Sequence, residues 1–418
     1  MACEAPVASA VITRLPDPKI SLAAFGSVVF PLSQFIAAPI VMLLAASTAL
    51  SRDWDSYMKI RRFTHSAGLI LTLFHVLVAF TPLYYVIVQK VLNVPTDLIQ
   101  PARIGLMIMV PWSWAIAYRR FNQGVLIRFG RSSAVGFGSL VRLVSAYLVL
   151  AIGYLYGSIS SVAIASIALV VGHVAESIYI AIRTHPVLCK QLMLESSVEQ
   201  FLTFHTFSTF YIPLSVTQIL FTLAAPITCA ALSRMPHALE SLALWPIVSG
   251  LVFLIRSAGV SYNEVVVALL EEKGSASSLH RFALWLVVLT SSLLLVIVVT
   301  PLATLWFESL SGLTPLLAAL AHNSLWGAIF IPGLSVQQSW FQGVLLHSHF
   351  TQAITESMIV FLVVDVIVLC VGILWAQVTG LYIGFAAYST GMFMQVLWLL
   401  WRSRTSRKVL FNKSSPRR

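Results

Sequence analysis

The chain reads as an all-α polytopic membrane protein, and three observations predict it. Of its 418 residues, 58% are hydrophobic and only 10% are charged, where a globular chain carries about 25% Asp, Glu, Lys and Arg. The apolar residues come in runs of 20 or more, the length a helix needs to cross roughly 30 Å of hydrocarbon. The runs do not alternate apolar with polar, as the strands of a membrane barrel do.

In chain order the runs predict eleven spans, near 22–50, 64–91, 104–124, 132–156, 158–182, 201–225, 241–270, 282–307, 313–346, 352–377 and 380–401. Pro31, Pro39, Pro82, Pro111, Pro213, Pro301 and Pro332 fall inside them and are expected to kink or interrupt their helices. Nineteen basic residues fall in alternate loops and the tail, among them Arg119 and Arg120, against five on the other side. That asymmetry places the C-terminus in the cytoplasm of a multi-pass protein of the inner or plasma membrane.

The net charge of +11 therefore marks loops facing the cytoplasm and implies no nucleic-acid partner. Cys3, Cys189, Cys229 and Cys370 form no CxxC, so neither a disulfide framework nor a zinc site is expected. The N-terminus shows no basic stretch followed by a short apolar core, so no cleavable signal is expected. Trp112, Trp114, Trp398 and Trp401 are expected to form interfacial belts.

Self-comparison finds a repeat at an offset near 220. Pro6, Arg14, Pro16, Ser21, Leu22 and Ala23 match Pro226, Arg234, Pro236, Ser241, Leu242 and Ala243. Thr81-Pro82-Leu83 matches Thr300-Pro301-Leu302, and Gln123-Gly124-Val125-Leu126 matches Gln342-Gly343-Val344-Leu345. Gly153, Gly172 and Arg183 match Gly372, Gly391 and Arg402. Mates lie six spans apart, which predicts two six-helix bundles as parallel repeats. The first reads one helix short, because the span 201–225 has no counterpart before Pro6. The expected organisation is a first lobe at 1–184 (a stub and five spans), a cytoplasmic linker at 185–200, a second lobe at 201–403 and a basic tail at 404–418. Lacking its neighbour, the span 22–50 is expected to turn Ser33 and Gln34 towards lipid or an over-wide cavity. The Gln-Gly pairs are expected where the chain turns into the next helix.

Two parallel six-helix units joined by a cytoplasmic linker resemble the multidrug/oligosaccharidyl-lipid/polysaccharide (MOP) exporter superfamily, most closely its progressive-ankylosis branch. The segments that carry the resemblance are Leu15-Pro16-Asp17 with Leu22-Ala23-Ala24-Phe25-Gly26, the run HVLVAFTPLYYVIVQK at 75–90, and QGVLIRFGRS at 123–132. The resemblance implies two bundles around a central cavity that opens alternately to each side, with no ATPase of its own. The branch is associated with export of small anions such as pyrophosphate, citrate or nucleotides; other branches move lipid-linked glycans or cationic drugs. The acidic ligands of the cation-coupled drug exporters have no counterpart, since 201–225 and 313–346 hold no Asp or Glu.

An ionised side chain at mid-bilayer costs about 2.5–3.5 kcal/mol on insertion scales, so each one needs a partner, water or a function. Arg256 sits within 241–270, shares a helix face with Asn263 seven residues on, and is followed by Glu264. Arg256 and Asn263 are candidate anion ligands, the guanidinium supplying a fork of donors, and Glu264 a candidate charge partner. Arg142 and Asp365 occupy equivalent helices of the repeat, one turn apart in its frame. Arg142 is a third candidate substrate ligand and Asp365 a candidate coupling group. His173 and Glu176 share a face of 158–182 and read as a proton relay or a packed pair. With no second HxxE pair they do not read as a metal site. His75 and His322 read as satisfied core or interfacial histidines.

The leading function is a secondary transporter that exports a small organic anion or pyrophosphate-like substrate, with a lipid-linked glycan flippase as the alternative. A membrane-embedded enzyme is disfavoured: GxSxG, HExxH and GxxxxGK[ST] are missing, and the loops are too short for a catalytic domain. No cofactor is expected, and the chain reads as a monomer with the bilayer as its solvent.

Overall fold

The computed structural model describes residues 4–157, 159–194, 202–270, 275–348, 350, 352–407 and 410. The protein is 88% helical, with no strand among the described residues. In bilayer this is forced, because a helix satisfies its own backbone hydrogen bonds where water cannot. Residues Glu4–Ile12 form helix α1. They are followed by α2 (Pro18–Leu50), α3 (Trp54–Phe80), α4 (Thr96–Ile108), α5 (Val110–Arg128), α6 (Ser132–Tyr156) and α7 (Ser161–Lys190). Next come α8 (Phe204–Leu232), α9 (Ala238–Leu269), α10 (Ser275–Val299), α11 (Pro315–His347), α12 (Gln352–Trp375) and α13 (Gly380–Arg402). Ten of these helices are long and apolar enough to cross a membrane. Part of the expected linker (195–200) and of the tail (411–418) lies outside the described residues.

The repeat is written into the helix boundaries. The π-helical turns Val86–Val91 and Leu305–Leu310 are 219 residues apart, as are the limits of α4–α5 (Thr96 to Arg128) and α11 (Pro315 to His347). Left-handed backbone recurs too: Asp17 and His237 have φ of 50° and 56°, Asn93 and Gly312 54° and 67°, Gly157 and Ala376 63° and 48°. Positive φ is uncommon outside glycine, so paired occurrences at non-glycine positions record a shared chain path.

Two compact units emerge, one of Val11–Ala230 and one of Ala231 onward together with residues up to Ala10. Their border differs from the expected 200/201. Nearly all of α8 clusters with the first unit because Tyr211 donates its hydroxyl to the Pro39 carbonyl (2.5 Å), and Phe207 and Tyr211 pack on Phe63 at 4.7 and 5.1 Å. Residues 4–10 cluster with the second unit, where Pro6 lies against Gly250.

Within the first unit α5 is the central helix, packed on α2, α3, α6 and α7. The corresponding half of α11 takes that place in the second, against α9, α10 and α13. Several expectations change here. The segment 104–124 is not one helix: Met109, at ψ −4°, separates α4 from α5, and Pro111 sits in the first turn of α5. Arg119 and Arg120 are on α5 and not in a loop. Gln123-Gly124 and Gln342-Gly343 lie within helices, and their glycines serve close packing: a Cβ on Gly124 would come within 2.6 Å of the Leu44 carbonyl. Ser33 is fully buried, and Trp112 is buried with its ring edge-on to His173 at 5.6 Å. His75 is a satisfied core histidine, its ring nitrogens each 3.1 Å from Ser113 Oγ and the Leu106 carbonyl. His322 Nε2 is 2.7 Å from the Val298 carbonyl.

Candidate functional site

The first unit gathers charge around Glu176 of α7. One turn of α5 puts Arg119 and Gln123 on the same side, four residues apart. Arg119 Nη1 donates to Glu176 Oε2 at 2.5 Å, and Gln123 Nε2 donates to Oε1 at 3.0 Å. From α6, Arg142 brings Nε to 3.5 Å of Oε2. Exposure is 2% for the Arg119 side chain, 5% for Arg142 and 0% for Glu176, so this is an ion cluster in the interior of a lobe. Arg120 is within electrostatic reach of all three, and its Nε is buried without a hydrogen-bond partner. Two guanidinium groups thus contact one carboxylate, with a third within electrostatic range.

His173 does not bond Glu176. Its Nδ1 pairs with the Leu169 carbonyl of its own helix at 2.8 Å, so the proton-relay reading of this pair finds no direct link. What brings Arg142 in is Gly172, where a Cβ would stand 2.9 Å from the Arg142 carbonyl and 3.1 Å from Ala146 Cβ. Gly172→Val is expected to pry α6 from α7 and cost about 1–3 kcal/mol, read as a lower melting temperature in detergent.

The second unit has the same crossings without the charges. At the repeat offset, Arg119, Arg120, Arg142 and Glu176 correspond to Gln338, Ser339, Phe361 and Gln395. Gln395 reaches Ser357 Oγ at 3.4 Å and Met358 Sδ at 3.3 Å, and Phe361 packs on Gly391 as Arg142 does on Gly172. The scaffold folds with neutral residues at these positions, so the ions of the first unit are not a requirement of the architecture.

The second unit holds other charges. Arg256 of α9 donates Nη1 to the Tyr388 hydroxyl of α13 at 2.5 Å, with its guanidinium carbon 5.7 Å from that ring centre. The Arg256 Nε is buried without a partner. Asn263 Nδ2 donates to the Ser339 carbonyl at 3.2 Å, which ties α9 to α11. Glu264 is exposed and is not the partner of Arg256: eight residues on, it points off that face. Asp365 of α12 is 1% exposed, and neither carboxylate oxygen has a hydrogen-bond partner. Arg142 and Asp365 belong to different units: Arg142 meets Glu176 in the first, and Asp365 finds no donor in the second. Among the described residues no cluster of His, Cys, Asp and Glu has the makings of a metal site.

The sequence alone does not mark Arg119, Arg120, Gln123 or Tyr388 as site residues. A signal for the first three existed, since Arg119 and Arg120 lie within the expected span 104–124 and Gln123 follows Arg119 at helical spacing.

Solved structures share this architecture along the whole chain. A multidrug-resistance MATE-family transporter of the MOP superfamily, in an inward-facing conformation, matches with a TM-score of 0.73 at 14% identity, over 99% of this chain and 96% of that one. The chain has the MOP transporter fold. The lipid II flippase MurJ matches with a TM-score of 0.63 at 13% identity, over 97% of this chain and 88% of that one. A MOP-superfamily transporter from Pyrococcus furiosus, described as having a binding pocket of reversed polarity, also matches at 0.63, with 13% identity over 99% and 95%. No protein-family model and no curated relative matches the sequence. At these identities the likeness is one of fold: ten apolar helices in a MOP arrangement make this an integral multi-pass membrane protein.

Proposed function

We propose that this chain is a secondary transporter of the progressive-ankylosis type, exporting a small organic anion or pyrophosphate-like substrate by alternating access. The observation that carries the reading is the excess of positive charge inside the first unit: Arg119 and Arg142 buried and Arg120 half-buried beside them, against Glu176. A transporter for cations would bury the opposite excess. In this reading Arg119 and Arg142 neutralise Glu176, while Arg120 in the first unit and Arg256 in the second keep donors for substrate oxygens. Asn263 assists from the helix face of Arg256. The C-terminus is cytoplasmic, as the basic loops require. A lipid-linked anion is the second reading, favoured by the likeness to a lipid II flippase.

The test is uptake of a labelled panel (pyrophosphate, citrate, a nucleotide and a lipid diphosphate) by vesicles containing the purified chain. Accumulation of an anion above protein-free vesicles supports the reading; transport confined to organic cations sinks it. Arg120→Gln is expected to raise KM for the transported anion about tenfold or more, the loss of one charge-assisted contact of about 1.5–3 kcal/mol, with folding unchanged.

A further inference from the structure

We infer that the first unit carries a docking groove for an anionic phospholipid, with the lipid chain between α5 and α7 and the phosphate on Arg61 of α3. The inference is independent of what the protein transports. It starts from a groove of about 520 Å³ walled by Trp114 and Tyr118 of α5 and by Ile178 and Ile182 of α7. The small residues Ala115 and Ala181 also line it and give it depth. On each helix these positions recur at three- or four-residue spacing, so two stripes face one another across the gap.

The groove is apolar by construction. Ser177 lines it too, but its Oγ lies 2.7 Å from the His173 carbonyl and 2.9 Å from that of Ala115, so its proton stays within the protein. The mouth is open, with Ile178 57% and Ile182 64% exposed. On membrane-spanning helices such side chains meet hydrocarbon. A concave apolar gap at that depth takes up a lipid chain.

Charge selects which lipid. The His65 ring of α3 packs on Trp114 and Tyr118, with centres 5.3 and 6.0 Å apart. Two turns earlier on α3, Tyr57 meets Phe121 of α5 at 5.2 Å, so α3 runs antiparallel to α5. Arg61 lies between, one turn from His65 on the same side and within electrostatic reach of it. That puts Arg61 just beyond Tyr118, at the rim of the groove. On α7 the stripe of Ala181 and Ile182 continues one turn on to His185. Arg61 and His185 are both exposed. Asp55, the one acid of α3, is already paired with Lys59 at 2.6 Å. Arg61 is seven residues into α3, about 10 Å at 1.5 Å per residue, which is head-group depth. Basic side chains between helices at that boundary hold anionic head groups, and a guanidinium adds charge-assisted hydrogen bonds to phosphate. The leaflet is the cytoplasmic one in the orientation proposed above. A second copy of the chain suits the groove poorly, because a two-fold axis along the membrane normal would set two basic rims against each other at one depth.

The experiment places the full chain in bilayer nanodiscs of phosphatidylcholine and phosphatidylglycerol in equal parts. A trace of one lipid or the other carries a photoactivatable diazirine on its chain, and cross-links are mapped by mass spectrometry. Labelling within 111–118 and 174–182 should be about fivefold higher from phosphatidylglycerol, the equivalent of about 1 kcal/mol for a basic residue near the membrane surface. Arg61→Gln should remove most of that preference. Arg62→Gln, which deletes the same charge off the groove side of α3, should keep it. Ala181→Phe should fill the groove and cut labelling by both lipids. Equal labelling by the two lipids in wild type overturns the inference, as does a preference that survives Arg61→Gln or labelling that survives Ala181→Phe. If Arg61→Gln does not fold, salt decides on wild type alone: the preference should fall as the screening length shortens, and indifference to salt overturns the inference. Glycerol phosphate in excess should leave the labelling unchanged; if it abolishes the preference, the site belongs to soluble phosphates and the lipid assignment fails.

Discussion

Glu176→Ala is expected to cost about 3–5 kcal/mol of folded-state stability, the usual consequence of removing one partner of a buried ion pair. The variant would strand Arg119 and Arg142, whose side chains are at most 5% exposed, with Arg120 close by. Thermal melting and monodispersity in detergent give the measurement. A companion variant sharpens it: changing Arg119, Arg120, Arg142 and Glu176 together to Gln, Ser, Phe and Gln copies the neutral arrangement of the second unit. Replacing a whole buried ion cluster by neutral side chains is often tolerated, so this variant should recover folding yet fail to move anions. If Glu176→Ala melts with wild type, the arginines are reaching water, and the cluster is not the electrostatic centre of its lobe.

Arg256→Ala is expected to lower anion transport by at least about a hundredfold while leaving the melting temperature nearly unchanged. The transport loss corresponds to about 3 kcal/mol of anion contact. The small structural cost follows from its single hydrogen bond, to the Tyr388 hydroxyl, and from the exposed position of Glu264, which rules that residue out as a buried partner. Arg256→Lys should restore part of the activity, since the charge returns without the fork of donors. Unfolding of the alanine variant would instead assign Arg256 to holding α9 against α13.

Much of the architecture was legible because lipid leaves a chain few choices. Every span must be helical and mostly apolar, so hydropathy found ten of the helices, and a duplicated chain path left its mark in matching prolines and glycines. Gly153 and Gly172 recur as Gly372 and Gly391 since all four lie where helices touch, and a Cβ at any of them meets the neighbouring helix. The site was less legible. Arg119 and Arg120 read as loop residues because two adjacent arginines ordinarily mark a water-exposed turn; the burial of Arg119 depends on Glu176, 57 residues away along the chain.

The sequence by itself determined the membrane class, the repeat, and the presence of Arg142, Arg256, Glu176 and Asp365 within helices. Those follow from local composition and from periodicity, which are properties of each segment taken alone. Only the tertiary structure decided the partners: that Glu176 belongs to Arg119, Gln123 and Arg142, that Arg256 turns to Tyr388 and away from Glu264, that α8 packs mostly with the first unit, and that Asp365 is left without a donor. A buried charge is balanced by whatever the packing brings within a few ångströms, and that choice is made between helices far apart in sequence.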